Sequence, residues 1–462
     1  MKAVVAFSDI LTALSRAWNS RDRDQCFLSL ALPIPGIDPL IHLPILANDE
    51  EFSFLWDFSS CDSFAAAGQC QLMDLTGPKR FELAQRFSDS IFARLLDITP
   101  EAPLEAKPRI MFSFSFFEQI SERQKALVNP SVLKAVFPRW QLISNGGISW
   151  LRINGVAVTK AEARELAENL WIMSEKLTQS MDIKNLIEVN RVSAVSSRKD
   201  WQSSYESVLS RGIDLVNNGV MKKLVLAVCQ SITLSKPFNP LAILFKLRNQ
   251  YKSSCRFLWQ NSSQEIFFGA SPERLLSLKG ASLTSDALAG TSSAKLYNQD
   301  LLKSDKDLRE HSVVVSSIVQ QLLDLDLAPN FARQPKLMQC GKIFHLHTPI
   351  FSKVNSQRPL ELLNKLHPTP AVAGFPVKDA IDWIRALEPF DRGQYAAPIG
   401  WIRSNGDSEF RVAIRCGKMR ANNLDLFAGA GLVRGSVKEK ELSEVSLKFD
   451  VLLDQFEFIS SI

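Results

Sequence analysis

The sequence contains seven cysteines in 462 residues, at positions 26, 61, 70, 229, 255, 340 and 416, and no Cys-x-x-Cys pair. Scattered and odd in number, they support neither a disulfide framework nor a zinc site. Reduced, buried thiols in a cytoplasmic protein are the expectation. No basic run is long enough for a nucleic-acid arm, although 54 Lys and Arg face 49 Asp and Glu. The net charge of +5 therefore describes a solvated surface. No apolar run approaches membrane-spanning length. The opening stretch from Met1 to Asp9 is too short for a secretory signal. No low-complexity segment and no short fixed repeat is present. Nucleic acid and membrane are thus not expected partners.

What is there describes a globular chain with ample core: 46% apolar and 22% charged residues. Length alone suggests two or three domains. Leu28–Leu32, Phe52–Trp56 and Ile110–Phe114 read as strands. Phe81 to Leu96 has helical spacing, with Leu83, Phe87, Ile91 and Leu95 on one face. Ile148–Ile153 reads as a strand closed by Asn154-Gly155. Thr159 lies three residues before Glu162, a capping-box pattern that opens a helix over 161–177. Trp201, Tyr205, Val208, Ile213 and Val216 form a helical stripe, and Met221–Val228 reads as a buried strand entered by two lysines. A long helix over 298–323 carries Glu310 and His311 beside an apolar patch.

Two stretches carry candidate chemistry. In Phe267–Thr291 a strand is expected to stop at Gly269, and Pro272 fixes a turn that sets Glu273 at a strand junction. Lys279-Gly280 predicts a hairpin, and the stretch ends in the small residues Ala287-Leu288-Ala289-Gly290-Thr291. A single turn glutamate is ordinarily an exposed one. In the last helix, over 438–456, Glu441, Glu444 and Lys448 share one face. Leu442, Val445, Phe449, Leu452 and Phe456 form the core stripe. Spacing alone makes the charged face a solvated one. The Gly-rich strand end at Gly429 and Gly431 makes a ligand at this helix's N-terminus plausible.

Taken together, several strings resemble the chorismate-utilising enzymes. They are KLVLAV from Lys223, GASPERLL around Glu273, ALAGT ending at Thr291, KDLREH around Glu310, LHPTPAVAG around Pro370, RGQYAAPIGW around Tyr395, EFRVAIR ending at Arg415, FAGAGLVRGS around Gly431 and ELSEVSLK ending at Lys448. Each is unspecific alone; the ordered set over about residues 200 to 455 is specific. The resemblance implies a single large α+β unit with packed antiparallel sheets and helices outside, which displaces the length-based estimate. Residues 1–190 are then its weakly matching N-terminal part and 191–462 the catalytic region.

The resemblance also implies roles. Isochorismate formation adds water at the second ring carbon of chorismate and expels the fourth-carbon hydroxyl, which needs a base and an acid. These fall to Lys223 and Glu273, with Lys222 beside the base as a control. Lys223 must then be neutral part of the time, and Glu273 protonated. Glu310 and Glu444 match the positions that hold Mg²⁺, with Glu441 a water-mediated partner. Arg415 and Tyr395 match groups that bind the enolpyruvyl carboxylate. Gly431 and Lys448 match further carboxylate contacts, and Thr291 and His345 lie with the substrate. His311, His347 and His367 are assigned no role. Val228, Gln394 and Ala397 depart from the family's usual Arg, Trp and Gly.

Ala289 bears on the choice within the family. Aminodeoxychorismate synthases carry a nucleophilic lysine there, and anthranilate synthases an N-terminal tryptophan motif that this chain lacks. The expectation is an isochorismate synthase of the menaquinone, phylloquinone or siderophore type, acting on chorismate with no obligatory protein partner. Salicylate synthase is the runner-up, followed by anthranilate synthase component I. An inactive chorismate-binding regulator is the non-enzymatic alternative.

Overall fold

A computed structural model of the chain describes residues 6–22, 24–48, 50–58, 63–99, 102–119, 131–145, 147–179, 200–235, 238–262, 265–293, 300–355 and 358–456. Cys61, the expected helix start at Asn298 and the boundary between 190 and 191 lie outside them. Strands and helices enclose one continuous apolar core that runs from Ile10 to Phe456. The fold is α+β, with the helices outside the sheets, as the motifs imply.

Two sheets diverge from one long strand, Leu133–Asn145. Its second half pairs with Ile148–Val156, which pairs with Phe27–Pro35 and so with Leu95–Asp97. Along its other edge lies Ser63–Leu75, followed by Ser53–Asp57, Cys255–Ser262, Glu265–Ser271, Cys416–Arg420, Asn423–Val433 and Lys223–Thr233. Its first half pairs instead with Arg109–Phe114. From there the second sheet continues through Pro398–Arg403, Ser408–Val412, Arg274–Lys279, Ser282–Ser293 and Ile343–Lys353. The pairings are antiparallel except for Phe27–Pro35 with Leu95–Asp97. The strands before residue 157 thus form one end of each sheet, and later strands join them edge to edge, at Ser53–Asp57 in the first and at Arg109–Phe114 in the second.

Several local expectations hold. The hairpin turns at Gly280, with Lys279 opposite Ser282 and φ +55° at the glycine. Glu162 accepts from the Thr159 amide at 2.9 Å and the Thr159 hydroxyl accepts from the Glu162 amide, so the capping box forms and the helix is Lys160–Gln179.

Others shift. The helix expected over 81–96 is Arg80–Ala93, and its buried face is Phe81, Ala84, Gln85, Ser88 and Ile91. Leu95 has left it for the parallel pairing with Phe27. Asn154-Gly155 does not end its strand, which runs to Val156. The Asn154 amide is satisfied across the sheet by Ser29 and the Pro138 carbonyl, and Gly155 leaves room for Leu166. The strand at 266–268 continues through Gly269 to Ser271. The helix bearing Glu310 starts at Asp305, capped by Ser304, and the last helix is Lys438–Leu453.

Behind the strand Lys223–Thr233 lies a fully buried ion pair, Glu388–Arg392, at 2.5 Å. Glu388 accepts from the Ala227 amide at 2.7 Å, and Arg392 donates to the carbonyls of Val372 and Val225 at 2.7 and 2.9 Å. The pair ties the loop at Val372 to the strand, beside the short ladder of Gly374–Phe375 on Lys223 and Leu224. Arg392→Met should cost about 3–5 kcal/mol, because it strands a buried carboxylate. Urea unfolding should show this, and adding Glu388→Gln should recover part of it. A single-variant cost under about 1 kcal/mol would contradict the role.

Candidate active site

At two places, side by side, the chain passes directly from one sheet to the other. Glu265–Ser271 belongs to the first sheet and Arg274–Lys279 to the second, so the break at Pro272-Glu273 is a crossing. Ser408–Val412 and Cys416–Arg420 make the return through Ala413, Ile414 and Arg415. The crossings are bonded together. The Ser271 hydroxyl donates to the Val412 carbonyl at 2.6 Å, the Val412 amide to the Glu273 carbonyl at 3.1 Å and the Ala270 amide to the Arg415 carbonyl at 3.0 Å. Arg415 has φ +53°, a left-handed conformation that costs a non-glycine residue energy. The bend directs one acid and one guanidinium into a single cavity.

That cavity is lined by Glu273, Thr291, Glu310, His345, Tyr395, Arg415, Gly431, Glu444 and Lys448. Lys223 lies just behind this wall, wholly buried, with Nζ 3.0 Å from Glu310 Oε1. The ten candidate site residues are therefore gathered in one place, nine on the cavity wall and Lys223 behind it. Register explains part of it. Lys223 faces Val433 and Val225 faces Gly431, so Lys223, Val225 and Gly431 share one face of the ladder. A Cβ at Gly431 would run into the Glu310 carboxylate and stand 3.2 Å from Lys223 Cε. Lys222 points the other way, exposed, over the Phe375 ring.

Burial sets the charge states. It pushes the Glu273 carboxyl up to about 8; Lys223 opposes the rise and Asp286 adds to it. Asp286 is itself held below the usual carboxylate range, against its burial, by His347 at 3.1 Å and by Arg274. His347, assigned no role above, thus keeps an anion behind the acid. His345 is pushed down to about 3 by burial and by Arg415. Its Nδ1 lies 3.0 Å from the Gly290 carbonyl and its Nε2 3.1 Å from Arg415 Nη2. A carbonyl only accepts and a guanidinium only donates, so Nδ1 carries the proton. Gly290, at φ +72° in a bulge between Ala289 and Thr291, turns its carbonyl to that ring. Tyr395 stacks on Phe427, with centroids 5.4 Å apart.

The last helix meets the cavity with its side, not with its N-terminus. Lys448 Nζ donates to Glu444 Oε1 at 2.5 Å and to the Gly429 carbonyl at 2.6 Å. Glu441, on the face that spacing makes a solvated one, is 1% exposed and receives Lys306 Nζ at 2.7 Å. Burial, then the charge of Glu444, pushes Glu441 up to about 7, whereas Lys448 and Lys306 hold Glu444 below the usual range against its burial. Lys306 and Arg392 stand in the quoted strings without an assigned role, and Asp286 and Glu388 lie outside those strings. Val228, Gln394 and Ala397 are not among the lining residues.

Among the described residues no three His, Cys, Asp or Glu side chains form a ready metal cage. The donors nevertheless suit a hard cation. Glu310 and Glu444 line the cavity, and Glu441 Oε2 is buried without a well-formed hydrogen bond, the Ser436 hydroxyl being the nearby donor. Magnesium takes one or two carboxylates and completes its shell with water and substrate.

Residues 12–457 match the family model described as chorismate binding enzyme. Over 264 residues the chain is 35% identical to isochorismate synthase DhbC of Bacillus subtilis, covering 54% of this chain and 66% of that one. Over 331 residues it is 29% identical to isochorismate synthase MenF of Escherichia coli, covering 69% and 74%. The chain spans less than two thirds of the length of the curated relatives it matches first. The solved structure of the menaquinone-specific isochorismate synthase MenF from Escherichia coli superposes with a TM-score of 0.74 at 25% identity, over 96% of this chain and 99% of that one. Anthranilate synthase component I from Streptococcus pneumoniae shares the fold, with a TM-score of 0.66 at 19% identity, over 88% and 91% of the two chains.

Glu273 ties stability to pH. Its folded value of about 8 lies above the ordinary 4.5, so the protonated form favours folding. That contribution is whole below pH 4.5 and is lost as pH rises through about 8. Glu273→Gln, which cannot ionise, should gain melting temperature over the parent progressively between those limits. Melting curves from pH 5 to 9 test this; a pH-independent difference would rule it out.

Proposed function

This chain belongs to the chorismate binding enzyme family, and from that premise we propose that it is an isochorismate synthase. The observation that carries the reading is the placement of a proton-bearing acid, Glu273, and a buried amine, Lys223, about one cavity whose wall at Ala289 offers no nucleophile. Chorismate is a small dianion, and the cavity holds cationic groups for it in Arg415 and Lys448. A planar guanidinium takes the enolpyruvyl carboxylate in a forked pair, with Tyr395 beside it.

The Lys223 amine takes a proton from a water as that oxygen bonds to the second ring carbon. Two ring double bonds shift, and the bond from the fourth carbon to its hydroxyl breaks. Glu273 gives its proton to the departing oxygen, which leaves as water. Water enters and water leaves, so the reaction is an isomerisation. Carboxyl protonation at neutral pH is what the role requires, and burial supplies it. His345, with both nitrogens committed, positions Arg415. Glu310 and Glu444 would hold Mg²⁺, with Glu441 acting through water; when bound, the ion supplies positive charge that grips the ring carboxylate.

Lys223→Ala and Glu273→Gln should each lower kcat by about 10²–10⁴-fold, while Lys222→Ala stays near the parent. Damage from Lys222→Ala instead would show that the wrong lysine has been assigned.

With chorismate and magnesium near neutral pH, mass spectrometry should show isochorismate in equilibrium with chorismate. Excess chelator should abolish turnover. Stoichiometric salicylate and pyruvate would make the chain a salicylate synthase, anthranilate in ammonium an anthranilate synthase, and binding without turnover a regulator.

A further inference from the structure

Three carboxylates at the site are each matched by a lysine: Glu310 by Lys223 at 3.0 Å, Glu444 by Lys448 at 2.5 Å and Glu441 by Lys306 at 2.7 Å. Lys223 and Lys448 have work in the reaction. Lys306 is not among the lining residues, and nothing above assigns it one. It stands in the first turn of the helix Asp305–Leu323, one turn before Glu310. Glu310 and Glu444 attract it as well as Glu441, so its ammonium serves the whole acidic wall. Its side chain is 26% exposed, against 1% for Glu441. A lysine head on a flexible stem can move out to water, whereas the buried carboxylates cannot. Like charges buried together need a cation among them.

We propose that Lys306 is a tethered counter-ion that stands in for a divalent cation at the Glu310, Glu441 and Glu444 wall and is displaced to solvent when the metal enters. Lys306 thereby weakens metal binding while holding the wall together without metal. The inference rests on the magnesium reading of Glu310 and Glu444.

Calorimetric titration of the substrate-free full chain with Mn²⁺ tests it, on the parent, Lys306→Met and, as an exposed control, Lys303→Met. Removing one partly screened charge next to the site should tighten binding by about tenfold in Lys306→Met. The metal-free melting temperature should fall in that variant and recover with Mn²⁺, and Lys303→Met should match the parent. Lys306→Gln repeats the test if the Met variant proves unstable. Equal or weaker binding in the Lys306 variants, with the parent still binding, overturns the counter-ion role alone. No binding by any of the proteins overturns the magnesium reading with it.

Discussion

The paired crossing between the two sheets is the constraint on which the site depends. At Pro272-Glu273 and at Ala413–Arg415 the chain leaves one sheet for the other, and hydrogen bonds through Ser271, Val412 and Ala270 lock the crossings together. A strand residue can face only one side of its sheet. A residue at a crossing is released from that alternation and can aim into the space where the sheets part. The left-handed backbone of Arg415 is a cost of that bend, offset by the neighbouring ladder bonds. Glu273 and Arg415 owe their proximity to this device, not to sequence distance.

Around it, charge is neutralised locally. Carboxylates that would destabilise a dry interior alone are each given a lysine, and the acid is given none of its own. Glu273 remains protonated because burial outweighs the more distant cations, with Asp286 held anionic behind it by His347. One shell of the site thus fixes which carboxyls are charged, and a second shell fixes the first.

Much of this was legible in the sequence where the signal is local. Period-two runs at 110–114 and 148–153, the Thr159–Glu162 box and the Gly280 turn each depend on residues a few positions apart. The ordered strings contain the residues that line the cavity, except His345. What was not legible depends on distant partners. Leu95 has helical spacing with Ile91, yet Phe27 claims it for a sheet. Asn154-Gly155 has the composition of a turn, but Ser29 and Pro138 satisfy the asparagine across strands. Glu441 shares a face with Glu444 and Lys448 that spacing alone assigns to solvent. Only the arrival of Lys306, from a helix far away in sequence, shows it to be buried.

The joining of early strands to late ones also bears on the order of events during synthesis. Ser53–Asp57 acquires its second neighbour only when Cys255–Ser262 has left the ribosome, and Arg109–Phe114 waits for Pro398–Arg403. Until then each presents an open edge of unpaired amides and carbonyls, built largely of buried-type side chains such as Phe54, Trp56 and Phe112. The nascent chain therefore carries its aggregation hazard through most of translation, and closure of both sheets falls to the same late segment that brings in Arg415.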